Sequence, residues 1–186
     1  MREQMTALER FLKYITFDTQ SEEGSEATPS TEKQRALGRV LARELAEMGL
    51  EGACLADNGA VYGWLPATPG REDVPVIALI AHMDTAPRVP GGPMKARVVS
   101  YEGGVLVLNE EKGIALSPAA FPDLLEQVGK QLVVTDGTTL LGADDKAGVA
   151  EIFAAVERLV RDPRLAHGRV AVCITPAGEV GRGEGY

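Results

Sequence analysis

The sequence predicts an α/β fold, with a mostly parallel sheet flanked by helices. Residues 76–81 form an apolar run rich in Val and Ile, which is typical of a strand buried on both faces, as in parallel sheets. A helical pattern over residues 146–161 lies between strand candidates at 131–135 and 169–175. Strand, helix and strand in this order predict a βαβ unit, with parallel strands and a right-handed crossover.

Two amphipathic helices are predicted ahead of the first buried strand. Apolar residues recur at helical spacing over residues 3–16, which predicts the first helix. Thr31 and Gln34 have the spacing of a capping box and predict the start of a second helix after a polar loop. Gly49 stands where a C-cap glycine belongs, so the second helix is expected to end there.

Shorter elements are predicted between these. Asp57-Asn58-Gly59 contains the Asn-Gly turn signal and predicts a hairpin between strands 52–56 and 60–65. Residues 86–116 are rich in Gly and Pro, which predicts an excursion from the main sheet. The remaining predicted elements are a small hairpin in that excursion at 96–101 and 104–109, a short helix at 117–128 and a strand at 139–142.

The composition is that of a globular protein and argues against several classes of partner. With 186 residues, 45% of them hydrophobic and 25% charged, the chain can bury a sizeable core. A net charge of −8 without a Lys/Arg cluster argues against nucleic acid or membrane as a partner. Cys54 and Cys173 lie in apolar contexts outside any C-x-x-C pair, which predicts buried free thiols. Without a signal-peptide core, we expect a cytoplasmic protein.

A histidine and an aspartate follow the first buried strand. His82 ends the apolar run and Asp84 lies two residues later, at the position where open α/β sheets place their chemistry. One imidazole nitrogen could ligate a metal while Asp84 accepts a hydrogen bond from the other. The alternative interpretation is structural, with a strand-end histidine beside a capping aspartate.

Acidic residues stand at two further element ends. Asp144 and Asp145 precede the 146–161 helix, where they would either cap it or bridge two divalent metals. Glu179 follows the last strand and precedes a glycine-containing turn, as a structural residue or a ligand. If the strands are neighbours, the groups converge on one edge. Imidazole and carboxylates are ligands for Zn²⁺, Mn²⁺ or Co²⁺, and two such metals would suit hydrolysis by a shared, acidified water.

Motifs along nearly the whole chain are similar to those of one enzyme family. They include Phe17-Asp18-Thr19-Gln20-Ser21, Pro29-Ser30-Thr31-Glu32, His82-Met83-Asp84-Thr85, the stretch from Thr139 to Gly148, and Glu179-Val180-Gly181. The sequence thus resembles the N-terminal portion of the peptidase T family, tripeptide aminopeptidases among the two-zinc exopeptidases. The resemblance implies that residues 1–186 form the N-terminal part of a metallopeptidase catalytic domain. The small hairpin excursion, an absent lid or dimerisation domain and an incomplete catalytic domain follow as expectations.

The resemblance also implies a role for each candidate residue. His82 would ligate the first zinc, and Asp84 would be the supporting catalytic carboxylate behind it. Asp144 would bridge both ions through a segment with a cis peptide bond to Asp145, and Glu179 would ligate the second zinc. The implied reaction is release of the N-terminal residue from tripeptides through a water held by two zinc ions. Short peptides are the implied substrates, and full-length relatives are expected to be homodimers.

One departure from the family motif concerns the general base. The family has Thr-Pro-Asp-Glu-Glu-Val-Gly where this chain has Thr-Pro-Ala-Gly-Glu-Val-Gly, so Gly178 occupies the position of the base and Ala177 replaces an acid. Glycine offers no proton acceptor, and general-base catalysis contributes about 10²–10⁴ in rate. An impaired or inactive site is therefore expected.

A second departure concerns the remaining ligands. In the family an aspartate and a histidine lie beyond the part matched here, which predicts incomplete binding of two zinc ions. His167, in a turn-like Ala-His-Gly segment before the last strand, is not expected to replace that histidine.

Two other functions compete with the aminopeptidase hypothesis. A non-catalytic remnant would bind a peptide or a single metal weakly, which Gly178 favours. A related two-zinc amidohydrolase or carboxypeptidase is the other, and the Gly-Ala-Asp-Asp-Lys-Ala-Gly motif argues against it.

Overall fold

The computed structural model describes residues 4–92 and 94–181. Its helices and strands, in chain order, are α1 (Ala7–Tyr14), α2 (Gln34–Glu47), β1 (Glu51–Leu55), β2 (Val61–Leu65), β3 (Ile77–His82), β4 (Arg97–Tyr101), β5 (Leu106–Asn109), β6 (Ile114–Leu116), β7 (Lys130–Val134), α3 (Ala143–Arg161) and β8 (Val170–Thr175). Two 3₁₀ helices, Pro122–Gln127 and Gly178–Val180, complete the described elements.

The main sheet is mixed, with strand order β1-β2-β8-β3. β8 pairs antiparallel with β2 and parallel with β3, in a register that places His82 beside Thr175. The α/β class is confirmed, but the expectation of a mostly parallel sheet is wrong for the described residues, since β3 and β8 form the parallel pair there. The predicted β1–β2 hairpin around the Asn-Gly turn is confirmed.

β3 lies at an edge of the main sheet. Ile77 and Ile80 are 60% and 65% exposed, so the prediction of a strand buried on both faces is wrong for the described part of the chain. The physical reason is that β3 has β8 on one side and α3 against one face. The apolar run of β3 is the kind found in parallel strands covered on both faces. Here α3 covers one face, and Ile77 and Ile80 remain exposed.

The predicted βαβ unit over residues 131–175 is also wrong. β7 pairs antiparallel with β4 in a separate two-stranded sheet, and residues 139–142 form no strand. α3 still leads into β8, but the parallel partner of β8 is β3. Strand periodicity located β7 and β8 correctly but carried no information on which strand pairs with which.

The excursion between β3 and β7 contains the predicted strands with different partners. β4 and β5 do not pair with each other, because β5 forms its hairpin with β6 over residues 106–116. The short helix predicted at 117–128 is a 3₁₀ helix, Pro122–Gln127.

The ends of α2 follow the prediction at one end only. Lys33 is its N-cap, without a side-chain hydrogen bond, so the predicted capping box of Thr31 is wrong. The Thr31 hydroxyl instead donates to the Gln20 carbonyl at 2.8 Å. At the other end Gly49 has φ +88° and Leu50 N–H donates back into the last turn, a Schellman-type C-cap that confirms the prediction.

The core lies between one face of the main sheet and the three helices. α2 packs on β1 and β2, α3 packs on β3, and α1 packs on α3. The largest fully buried apolar side chains in this core are Tyr14, Ile15, Leu37, Leu41, Leu45, Met83, Phe153 and Ile174. Among the described residues, none of the helices combines the length and apolarity that a membrane span requires.

The two cysteines lie on the opposite face of the sheet. Cys54 and Cys173 both pair in register with Tyr62, which places them in one row across β1, β2 and β8. Both are free thiols, Cys54 exposed and Cys173 half-buried. The expectation of buried thiols is therefore wrong, because alternate residues of these strands point away from the helices.

A buried ion cluster joins the three helices. Arg10 of α1 is 3% exposed and donates to Glu44 of α2 and, at 2.7 Å, to Glu157 of α3. Lys13 and the Tyr14 hydroxyl each donate to Glu44 at 2.7 Å. We call these five residues the Arg10 cluster. It fixes the N-terminal helix against both others.

Candidate metal centre

Three side chains converge at the carboxyl end of the parallel strand pair. His82 ends β3, Glu179 follows β8 and Asp144 lies at the start of α3. One ligand atom from each lies within 4.8 Å of the others, and His82 Nε2 is 3.2 Å from Asp144 Oδ1. Parallel pairing brings both strand ends to one edge of the sheet, so the structure brings together the three residues that the sequence proposed as ligands.

The Asp144–Asp145 segment is an irregular start to α3. Gly142 has φ +74°, Asp144 and Asp145 have non-helical dihedral angles, and the peptide bond between the two aspartates is cis. The Asp144 side chain is 88% exposed and faces the cluster. Asp145 turns the other way, and its carboxylate accepts from His82 N–H at 3.4 Å. The two acids therefore have separate positions, one open to a cation and one against the β3 backbone.

Asp84 is fully buried behind His82. Its Oδ1 accepts from Gly178 N–H at 2.8 Å and lies 3.2 Å from His82 Nδ1. Its Oδ2 accepts from the Ser21 hydroxyl at 2.5 Å and from Glu179 N–H at 3.1 Å. Burial opposes ionisation of this carboxyl, but the four donors prevail and lower its pKa.

The charges around His82 control its protonation. The hydrogen bond that His82 Nδ1–H donates to Asp84 is the main cause that raises the pKa of His82 to about 9, against the opposing effect of burial, and Asp145 and Asp144 add to the rise. Burial raises the pKa of Glu179, an effect that the charge on His82 opposes. A metal ion that binds His82 would have to displace a proton from the imidazole, because the acids that attract a cation also stabilise the protonated ring.

Lys146 and Gly148 explain the rest of the Gly-Ala-Asp-Asp-Lys-Ala-Gly motif. Lys146 is fully buried, and its Nζ donates to the Phe17 carbonyl at 2.7 Å. A Cβ at Gly148 would lie 2.2 Å from Asp145 Oδ1, so this position must lack a side chain for Asp145 to keep its place. The sequence pattern predicted neither role. The available signal was Lys146 itself, a lysine on the helix face that otherwise carries the buried residues of α3.

Gly178 packs directly against the imidazole ring. A Cβ built on it would lie 2.7 Å from His82 Cγ and 2.8 Å from His82 Cβ, closer than carbon atoms pack. The position therefore holds no proton acceptor and has no room for one while His82 keeps this place. Its amide serves the site instead, by donating to Asp84.

Replacing Gly178 by alanine is expected to destabilise the fold by about 1–3 kcal/mol, the usual range for overpacking a well-filled site. The added methyl would push the His82 ring or the turn that carries Glu179. Urea unfolding would measure the loss. Gly92→Ala is the matched control, since a Cβ there has no atom within 4 Å. Equal urea midpoints for the two variants would contradict the close contact between Gly178 and His82.

His167 has the structural position expected of it. Its N–H donates to Thr68 Oγ1 at 3.1 Å, and its carbonyl accepts from Thr68 N–H. The imidazole Nδ1 lies 2.8 Å from the Gly168 carbonyl oxygen. It is absent from the His82, Asp144 and Glu179 group.

The fold and this cluster define an α/β protein with the donor set of a divalent-metal centre at the ends of a parallel strand pair. One imidazole and two carboxylates match the ligand types of zinc sites. Imidazole and carboxylate ligands also suit other divalent ions, among them Mn²⁺ and Co²⁺.

Comparisons with known proteins identify the relatives. The chain is 49% identical over 180 residues to peptidase T of Clostridium acetobutylicum, which covers 96% of this chain and 44% of the relative. It is 51% identical to peptidase T of Desulfitobacterium hafniense strain Y51, covering 96% and 43%. The crystal structure of aminopeptidase PepT from Bacillus cereus ATCC 10987 superposes with a TM-score of 0.62 at 26% identity, over 96% of this chain and 38% of that chain. No family model matches.

Nearly the whole length of this chain is therefore homologous to a part of peptidase T. The chain spans less than half the length of the curated relatives that it matches.

Proposed function

We propose that this chain carries the metal-binding residues of a metallo-aminopeptidase that acts on short peptides, tripeptides in particular. The observation that supports this most directly is the meeting of His82, Asp144 and Glu179 within 4.8 Å in a homologue of peptidase T. The peptide substrate follows from the relatives, and the metal follows from the donor set.

Zinc is the proposed ion. His82 would offer an imidazole nitrogen, and Asp144 and Glu179 would each offer a carboxylate oxygen, a combination found in catalytic zinc sites. The resemblance to peptidase T makes Asp144, whose side chain is 88% exposed, the candidate to bridge two ions. When bound, zinc would polarise the scissile carbonyl and lower the pKa of a water molecule.

The chain's own residues would hold this site in order. Asp84, which lies against His82 Nδ1, leaves Nε2 directed at Asp144 and so fixes which nitrogen is available to a metal. Gly178 has no side chain to accept a proton, and Glu179 cannot both ligate a metal and act as a free base. We therefore propose that hydrolysis is slow in this chain. A weak single-metal or peptide-binding module is the second candidate, supported by the same glycine.

Zinc binding by the metal-stripped chain, measured by calorimetry and by mass spectrometry of bound zinc, tests the site. His82→Ala is expected to lower the affinity by at least about tenfold, since it removes a ligand outright. His167→Ala is the matched control, because it removes the chain's other histidine from a turn outside the cluster. Equal zinc binding by the two variants would exclude His82 as a ligand.

Hydrolysis of Ala-Ala-Ala by the zinc-loaded chain separates the two candidate functions. Activity that is lost in His82→Ala would support the aminopeptidase. Zinc binding without hydrolysis would support the binding module.

We also propose a cytoplasmic location. Cys54 and Cys173 are both unpaired, and free thiols are typical of proteins in reducing compartments.

A further inference from the structure

We propose that Ser21 is a positioning residue of the metal centre. It sets the rotamer of Asp84, and through Asp84 it places both His82 and the turn that carries Glu179. The proposal rests on the proposed metal site. It assigns a role to the Asp18-Thr19-Gln20-Ser21 motif, which contributes no residue to the His82, Asp144 and Glu179 group.

The motif runs as a short extension beside the end of β3. Ser21 N–H donates to the Thr85 carbonyl at 2.9 Å, and Thr85 N–H donates to the Thr19 carbonyl at 3.2 Å. Gln20 and Thr85 form a parallel bridge. Lys146, from the other motif, holds the Phe17 carbonyl just before this segment. The backbone of Ser21 is thus fixed relative to the site on two sides.

The direction of the Ser21 hydroxyl follows from its partners. Its Oγ lies 2.5 Å from Asp84 Oδ2, so its only proton points at that carboxylate, which can only accept when ionised. Gln34 Nε2 lies 3.2 Å from Ser21 Oγ and donates to one of its two lone pairs. Ser21 and Gln34 are 4% and 1% exposed, so water has little access to replace either contact.

Asp84 transmits this orientation to both sides of the site. Asp84 Oδ2, which accepts from Ser21, also accepts from Glu179 N–H. Asp84 Oδ1 accepts from Gly178 N–H and lies against His82 Nδ1. Rotation of the carboxylate would break contacts to both ligand-bearing segments together. Ser21 supplies the side-chain hydrogen bond to Asp84 that comes from outside those segments.

The test compares Ser21→Ala with Ser30→Ala. Ser30 is equally buried and also accepts from Gln34 Nε2, at 3.1 Å. Its second donor is Glu22 N–H, at 3.2 Å, whereas the second partner of Ser21 is Asp84. Each variant therefore removes one serine hydroxyl that accepts from Gln34. Ser21→Ala also removes a hydrogen bond to the Asp84 carboxylate, and Ser30→Ala does not.

The first measurement uses the metal-free chain and amide hydrogen exchange followed by NMR. The amides of Gly178 and Glu179 are expected to exchange at least about tenfold faster in Ser21→Ala than in Ser30→Ala. Unchanged exchange of these two amides in Ser21→Ala, or the same acceleration in both variants, would overturn the proposal.

The second measurement is the zinc dissociation constant. Residues that orient a ligand typically contribute about 10–100-fold to metal affinity, so Ser21→Ala is expected to weaken zinc binding by that factor and Ser30→Ala by less than threefold. Ser21→Ala that binds zinc as tightly as the unaltered chain would overturn the proposal. If the unaltered chain binds no zinc, the proposed function fails, and the amide exchange still decides the role of Ser21.

Discussion

Replacing Asp84 by asparagine is expected to lower the free energy of unfolding by about 2–6 kcal/mol and to disorder the metal centre. Asparagine keeps the shape but exchanges one acceptor oxygen for an NH₂ group. Oδ1 faces His82 and Gly178, and Oδ2 faces Ser21 and Glu179. In either orientation of the amide, one backbone N–H loses its acceptor, and one side chain, His82 or Ser21, must change from donor to acceptor, at about 1–3 kcal/mol each.

Urea unfolding and zinc titration would measure this effect. Asp162→Asn is a suitable control, because Asp162 also accepts backbone and side-chain hydrogen bonds, from Arg164, in an exposed turn after α3. The control is expected to leave the unfolding midpoint nearly unchanged. An Asp84→Asn chain as stable as the control would show that the four donors find water or other partners instead.

Replacing Arg10 by methionine is expected to destabilise the fold by about 3–5 kcal/mol, the usual loss when one partner of a buried ion pair is removed. Methionine would fill the space of the Arg10 stem but leave Glu44 and Glu157 without the guanidinium that lies between them. α1 would then lose the Arg10 attachment to Glu157 of α3, while Lys13 and Tyr14 would still hold it to Glu44 of α2. Thermal and urea unfolding would report the loss.

Two controls separate charge burial from simple loss of an arginine. Arg164→Met removes an ion pair to Asp162 that is 86% exposed on the arginine side, and little change is expected. Arg10→Met combined with Glu44→Gln and Glu157→Gln is expected to recover part of the stability, because the two side chains that lose the guanidinium then carry no buried negative charge. A single Arg10→Met variant no less stable than Arg164→Met would contradict the assignment.

The positions of the three candidate ligands were predictable because each one stands at the end or the start of an element with a clear pattern. β3 and β8 were recognisable as apolar runs, and His82 and Glu179 follow directly from where those runs end. Asp144 was recognisable from its place ahead of the periodic pattern of α3. The convergence of the three required the pairing of β3 with β8, which the sequence suggested only as one possibility.

The partners behind the site could not be predicted, because they depend on contacts between distant segments. Ser21 lies in a polar stretch typical of an exposed loop, and nothing local indicates that its hydroxyl meets Asp84. Arg10 occupies a polar position on an amphipathic helix, where a solvent-facing side chain is the ordinary expectation. The pairing of β7 with β4 could not be predicted for the same reason, since the alternation of apolar residues indicates a strand but does not identify the neighbouring strand.

The central place of β8 in the main sheet has a consequence for the order of folding events. β8 joins β2 and β3, which precede it by a long stretch of chain, and such distant pairings form slowly because their loops must close first. His82, Asp144 and Glu179 meet only once β8 is in place, so the cluster is assembled late. A bound ion would then act mainly by slowing unfolding, and would do little to speed folding.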